Sequence, residues 1–104
     1  MAAYASSVTL DDAGPLRFAN SQMKMIRGVL TISNYNQTLA EITGITKYFK
    51  GTPTVLLGGA FSGGNHVGFW VAASKSVKAY VTSTGSQVAS DVNMGTVPFV
   101  AIGI

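Results

Sequence analysis

The clearest apolar pattern lies near the end of the chain, in residues 92–104. If residues 96–102 form a strand, their side chains alternate between two faces. One face carries Val97, Phe99 and Ala101, and the other carries Pro98, Val100 and Ile102. Both faces are apolar, whereas an antiparallel strand with one face in water alternates apolar with polar residues. The pattern predicts a strand that is sandwiched between layers or covered by another molecule.

Pro98 adds a second constraint on this strand. Proline has no backbone N–H to donate to a neighbouring strand, so Pro98 predicts an edge strand or a bulge. An apolar edge strand promotes aggregation unless a partner covers it. We therefore expect the protein to work in an assembly, with Pro98, Val100 and Ile102 at a contact between subunits.

Other segments also have the period of strands. In residues 23–33, Ile26, Leu30 and Ile32 share a face with Gly28, which predicts a half-buried strand. A short strand is predicted over residues 54–57. Residues 66–73 and 76–82 predict a hairpin that turns at Ser74 and Lys75.

The first ten residues are predicted to be extended. Small residues surround Tyr4 in this segment. The segment is expected to form either an edge strand or an arm laid across a neighbouring subunit, which makes Tyr4 a candidate contact residue.

Helix competes with strand in one place only. The spacing of Leu39, Ile42 and Ile45 fits one helical face, and Thr38 with Glu41 fits a capping box at a helix start. Gly44 suits the position just past a helix end. The pattern predicts one short helix over residues 39–43, followed by extended chain.

Together these elements predict an all-β fold. Several short strands separated by turns, with almost no helix, are typical of an antiparallel β-sandwich or a jelly-roll-like barrel. A chain of 104 residues is expected to form a single β-domain over residues 1–104.

Composition favours a protein that lies against neighbours. Hydrophobic residues make up 47% of the chain and charged residues 11%, about half the usual charged share. So few charges leave apolar or neutral polar surface to face a partner. The chain has no Cys, and hence no disulfide or thiolate metal site. It shows no signal-peptide pattern and no apolar run of the length that crosses a membrane, so no membrane partner is expected.

The basic residues leave a nucleic-acid alternative open. Seven Lys and Arg against four Asp and Glu give a net charge of +3, spread in ones and twos along the chain. Solvated positions are the simpler interpretation, and no nucleic-acid partner is expected. A single-stranded nucleic-acid binding barrel would instead require Lys24, Arg27, Lys47 and Lys50 to converge beside Tyr48.

No constellation for catalysis or metal binding is present. His66 is the only histidine, and Asp11 with Asp12 fits a turn better than a pair of carboxylates across a cleft. The glycine-rich residues 58–64 lack the Gly-Lys-Ser/Thr ending of a phosphate loop. The chain is therefore not expected to be an enzyme or to bind a cofactor or metal.

Aromatic residues supply two further hypotheses. Phe61 lies between glycine pairs, and on a flexible loop it could seat in a pocket of a neighbouring subunit as an interface anchor. Trp70 and Tyr80 lie on neighbouring predicted strands and could pair across the hairpin.

Several short segments carry a resemblance to a known group. They are residues 28–35, 39–46 with Gly44, 69–80, 87–92 and 95–103. In them the chain resembles small β-rich structural proteins of tailed-bacteriophage virions, of the head decoration or cement type. The resemblance implies a non-enzymatic protein on the capsid surface of the virion, assembled in the host cytoplasm. Its implied partners are the major capsid protein or other virion subunits and further copies of itself, most often as a trimer. A receptor-binding domain of a tail or fibre is a third alternative.

Overall fold

The computed structural model describes residues 4–12, 14–19 and 22–104. It contains seven strands and one short helix in this part of the chain. They are β1 (Ala5–Leu10), β2 (Leu16–Arg17), β3 (Lys24–Asn34), α1 (Thr43–Thr46), β4 (Thr54–Leu57), β5 (His66–Val71), β6 (Ser76–Val81) and β7 (Gly95–Gly103).

The strands form two antiparallel sheets. The larger sheet has the order β1, β3, β7, β4, and β2 pairs with the first residues of β3 beside β1. The second sheet is the β5–β6 hairpin. The predicted all-β fold, with sandwich-like antiparallel sheets and one short helix, is confirmed.

The core lies on one face of the larger sheet. Ile26, Leu30 and Ile32 of β3 are buried there, as the sequence period predicted. On the same face, β7 contributes the buried residues Val97, Phe99 and Ala101. The β5–β6 hairpin packs against this face through Val77 and Ala79.

The N-terminal segment is a strand of this chain's own sheet. β1 pairs with β3 from Ala5 opposite Asn34 to Leu10 opposite Gly28. The alternative of an arm across a neighbour is therefore wrong for residues 5–10. Residues 1–3 of that predicted segment lie outside the described residues.

The helix lies later in the chain than predicted, at Thr43–Thr46 instead of 39–43. The helix has Ile42 as its N-cap and no side-chain cap, so the predicted capping box of Thr38 and Glu41 does not form. The Glu41 carboxylate instead accepts a hydrogen bond from the Thr46 hydroxyl at 2.5 Å. The Ile42 N–H donates to the Lys75 carbonyl at 2.9 Å, which ties this residue to the hairpin turn. Gly44 lies inside the helix, where an added Cβ would meet the Val8 side chain at 3.0 Å.

Candidate functional site

The face of the larger sheet that points away from the core carries an apolar surface. We call this surface the outer face, and it consists of Met25, Val29, Leu56, Pro98, Val100 and Ile102. Each of these residues alternates along its strand with a residue of the core face. Register brings them together, since Val29 lies opposite Pro98 and Val100 lies opposite Leu56.

Part of the outer face is open to solvent. Leu56 is 62% exposed and Pro98 is exposed, while Val29, Val100 and Ile102 are half-buried. A shallow groove of about 260 Å³ runs between β4 and β7, lined by Leu56, Leu57, Gly58, Pro98, Phe99 and Val100. An apolar sheet face of this kind is suited to bind an apolar surface of another molecule.

Pro98 does not lie on an edge strand, so that prediction is wrong. β7 lies inside the sheet, between β3 and β4. The Gly58 N–H donates to the Pro98 carbonyl at 2.8 Å, which places the backbone N of Pro98 on the same side, facing β4. β4 ends at Leu57, the residue before Gly58. The N–H that Pro98 lacks would therefore have pointed past the last residue of β4. An added Cβ on Gly58 would lie 2.8 Å from Pro98 Cγ, so glycine gives the proline ring its room.

Phe61 is not a surface anchor. It is 2% exposed and belongs to the core, so its predicted role at a subunit contact is wrong. Its N–H donates to the His66 carbonyl at 2.9 Å, and the glycines on either side let the loop fold inward over β5. Burying a phenylalanine is worth about 1.5–3 kcal/mol, which explains why the ring leaves the solvent.

Tyr4 is held against its own chain. Its hydroxyl donates to the Val77 carbonyl at 3.2 Å, and its ring lies 5.7 Å from the ring of Tyr35. Burial raises the pKa of Tyr4 to about 12, from the usual value of 10.0. The ring of Tyr4 therefore packs within its own chain and stabilises the fold. Its role in contacts between subunits stays a prediction.

The raised pKa of Tyr4 predicts a loss of stability in strong base. The unfolded chain ionises Tyr4 near its usual pKa, whereas the folded chain keeps it neutral until about pH 12. Stability from this group is present below pH 10 and falls as the pH rises toward 12, by about 1 kcal/mol at pH 11. Urea unfolding of the wild type and of Tyr4→Phe at about pH 9 and pH 11 measures this, with the variant free of that loss. Equal losses in both proteins would contradict it.

A charged side chain lies within the outer face, because Arg27 alternates with the buried residues Ile26 and Gly28 along β3. Arg27, opposite Val100, pairs with Asp12 through Nε and Oδ2 at 2.9 Å. The guanidinium lowers the pKa of Asp12, mainly through this hydrogen bond. Arg27 therefore has an ion-pair partner within the chain.

The cluster that the nucleic-acid alternative requires, with Lys24, Arg27, Lys47 and Lys50 beside Tyr48, forms only in part. Lys24 and Lys50 line one pocket together with Arg17. Lys47 places its Nζ over the Tyr48 ring, 5.2 Å from its centre, and neither residue lines that pocket.

The proposed ring pair of Trp70 and Tyr80 is wrong as well. Trp70 lies opposite Val77, while Tyr80 lies opposite Val67 on the other face of the hairpin. Tyr80 instead contacts Phe69, with ring centres 6.0 Å apart. Phe69 is 60% exposed, so the second sheet also carries an apolar side chain in solvent.

The described part of the chain offers neither a metal-binding cluster nor a membrane-spanning helix. Residues 4–12, 14–19 and 22–104 contain no group of three or more His, Cys, Asp or Glu that could hold a metal ion. Among the same residues, no helix has the length and apolar character needed to cross a bilayer.

The sequence pattern missed Leu56 and Val29 as members of the outer face. The sequence contains a signal for each of these two residues. Leu56 lies between Val55 and Leu57, in an apolar run that does not alternate with polar residues. Val29 alternates with the core residues of β3. Only the register of β4 and β3 against β7 shows that they adjoin Pro98 and Val100.

Comparisons with protein-family models, with curated proteins and with solved structures gave no significant match to this chain.

Proposed function

We propose that this chain is a non-enzymatic structural protein of a bacteriophage virion, which binds the capsid surface as a decoration or cement protein. The observation that carries the proposal is the outer face, an apolar surface on a sheet whose opposite side already forms the core. The resemblance of the sequence segments to such proteins supports the choice of partner. The major capsid protein or another virion subunit would cover Leu56, Pro98 and Val100.

The physical effect of such binding is cumulative. Each 100 Å² of apolar surface that is buried gains about 2.5 kcal/mol before the cost of association. Lost freedom of motion and ordering of side chains offset a large part of that gain. Each copy would bind weakly, and many copies that link neighbouring capsid subunits would stabilise the shell together. A three-fold oligomer, which the resemblance implies, would match three-fold sites of a lattice.

The single-stranded nucleic-acid alternative has less support. It requires four basic residues beside an aromatic ring, yet Arg27 is paired with Asp12. Tyr48 does not line the pocket that Lys24 and Lys50 share. The tail or fibre alternative requires exposed aromatic rings in a groove, and the groove on the outer face is lined by aliphatic residues and Phe99.

Binding to capsids that lack the protein tests the proposal. Leu56→Lys places a charge on the exposed β4 side of the outer face, opposite Val100, and is expected to weaken binding about tenfold or more, because the charge must be desolvated. Phe69→Lys is the matched control, since Phe69 is equally exposed but lies on the second sheet. Cosedimentation of capsids with each protein gives the affinities, and circular dichroism checks folding.

The proposal predicts that Phe69→Lys binds like the wild type and that moderate salt changes binding little, because the contact is apolar. Wild-type protein that does not bind capsids would contradict the proposal. Equal loss of binding in both variants would contradict the assignment to the outer face.

A further inference from the structure

The apolar surface of the larger sheet continues beyond the outer face onto β2. Leu16 lies directly opposite Met25 in the β2–β3 pairing, so the two side chains point to the same face of the sheet. Met25 in turn lies opposite Ile102 of β7. Leu16 therefore adjoins the outer face on the side of β2.

The residues that follow β2 and precede β3 add two more apolar side chains. The Phe18 N–H donates to the Met23 carbonyl at 3.1 Å, which continues the antiparallel pairing of β2 with β3 by two residues. Side chains alternate along both segments, so Phe18 lies on the face of Leu16, and Met23 lies on the face of Met25. The side chains of Leu16, Phe18 and Met23 are all exposed.

We call the outer face together with Leu16, Phe18 and Met23 the extended face. Six large hydrophobic residues are exposed in the part of the chain that the structure describes, and four of them lie on the extended face: Leu16, Phe18, Met23 and Leu56. The charge within this face, Arg27, is paired with Asp12. Most of the exposed large hydrophobic residues are therefore collected on one side of one sheet, which is typical of a binding surface.

The size of the extended face constrains its partner. From Met23 to Val29 along β3, and from β2 to β4 across the sheet, it measures about 20 Å by about 14 Å at the usual strand rise and spacing. This footprint is well below the roughly 800 Å² that each partner buries in a stable complex. Two copies joined through this face would form only a weak pair, whereas an oligomer that binds repeated sites of a capsid lattice combines several such contacts.

We propose that a capsid subunit covers the whole extended face, and that Phe18 is an anchor of this contact. The inference rests on the proposed function, because it assigns further residues to the same contact. Aromatic side chains often contribute a large share of the binding free energy at protein interfaces. The matching surface of the capsid subunit is apolar and reaches past Met25 to the residues that follow β2.

Hydroxyl-radical footprinting of the wild type, free and bound to capsids that lack the protein, tests this inference without any variant. Bound protein is expected to show several-fold slower oxidation of Phe18, Met23 and Leu56, because the capsid subunit excludes solvent from them. Phe69, which is exposed on the second sheet, is expected to react at an unchanged rate.

The footprint separates this inference from the proposed function. Protection of Leu56 with unchanged oxidation of Phe18 and Met23 would overturn the extended contact and leave the proposed function standing. Wild-type protein that does not bind capsids would overturn both.

The free protein distinguishes a capsid subunit from a second copy. Phe18 and Leu56 are expected to be oxidised at the same rate at every concentration of free protein. Oxidation that slows as the concentration rises would show that a second copy covers the extended face, and would overturn the choice of partner.

A charge at Phe18 tests its role as an anchor. Phe18→Lys is expected to weaken capsid binding about tenfold, because the charge must be desolvated in an apolar contact. Phe69→Lys is the matched control, since it makes the same change at an exposed phenylalanine of the second sheet, and it is expected to keep wild-type binding. Circular dichroism checks that both variants fold. Equal capsid affinity in Phe18→Lys and the wild type would overturn the assignment of Phe18.

Discussion

Replacement of Gly28 with alanine is expected to destabilise the fold by about 3 kcal/mol or more. Gly28 lies on the core face of β3, opposite Leu10 at the end of β1. An added Cβ would overlap the Thr9 carbonyl oxygen and lie 2.8 Å from Leu10 Cα. Both are backbone atoms, so β1 would have to move away from β3 as a unit.

Gly51→Ala is the matched control for this prediction. An added Cβ at Gly51 meets no atom within 4 Å, so its effect is expected to stay within about 0.5 kcal/mol. Denaturant unfolding of the wild type and both variants gives the free energies. A Gly28→Ala protein that unfolds within about 1 kcal/mol of the wild type would show that β1 does not approach β3 this closely.

Replacement of Tyr35 with phenylalanine is expected to destabilise the protein by about 3 kcal/mol. Tyr35 is fully buried, and its hydroxyl accepts hydrogen bonds from the Ala79 N–H at 3.1 Å and the Gln87 amide at 2.8 Å. The variant leaves both donors without this acceptor, inside or at the border of the core. Because Tyr35 follows β3 while Ala79 lies on β6, the loss also loosens the contact between the two sheets.

Tyr48→Phe is the control, because Tyr48 is only half-buried, and its change is expected to stay within about 0.5 kcal/mol. Denaturant unfolding measures both variants, and hydrogen exchange of the Ala79 amide reports on the lost bond directly. An unchanged exchange rate at Ala79 in Tyr35→Phe would contradict this account.

Local periodicity was enough to predict the main strands. In β3, Ile26, Leu30 and Ile32 alternate with residues of the other face, and the hairpin has the same alternation at Val77 and Ala79. These patterns work because a strand has a fixed period of two residues. The strand near the C-terminus, with its two apolar faces, was also predicted correctly.

Contacts between distant segments could not be predicted in the same way. The helix begins at Thr43 because the hairpin turn binds Ile42, and this overrides the capping box of Thr38 and Glu41. Phe61 enters the core because the loop folds onto β5, which no local pattern indicates.

The candidate site was likewise predicted in part. Pro98, Val100 and Ile102 were identified from the apolar pattern of β7, and the structure places them on the outer face. Leu56 and Val29 join them only through pairing with β7, and pairing partners depend on the whole sheet.

Images of capsid particles with and without this protein test the central claim most directly, if the added density is resolved well enough to place the strands. We predict added density on the particle surface, with the outer face turned toward the shell and Leu56 and Pro98 in contact with a capsid subunit. Bound copies that leave Leu56, Pro98 and Val100 in solvent, or particles that gain no density, would contradict the claim.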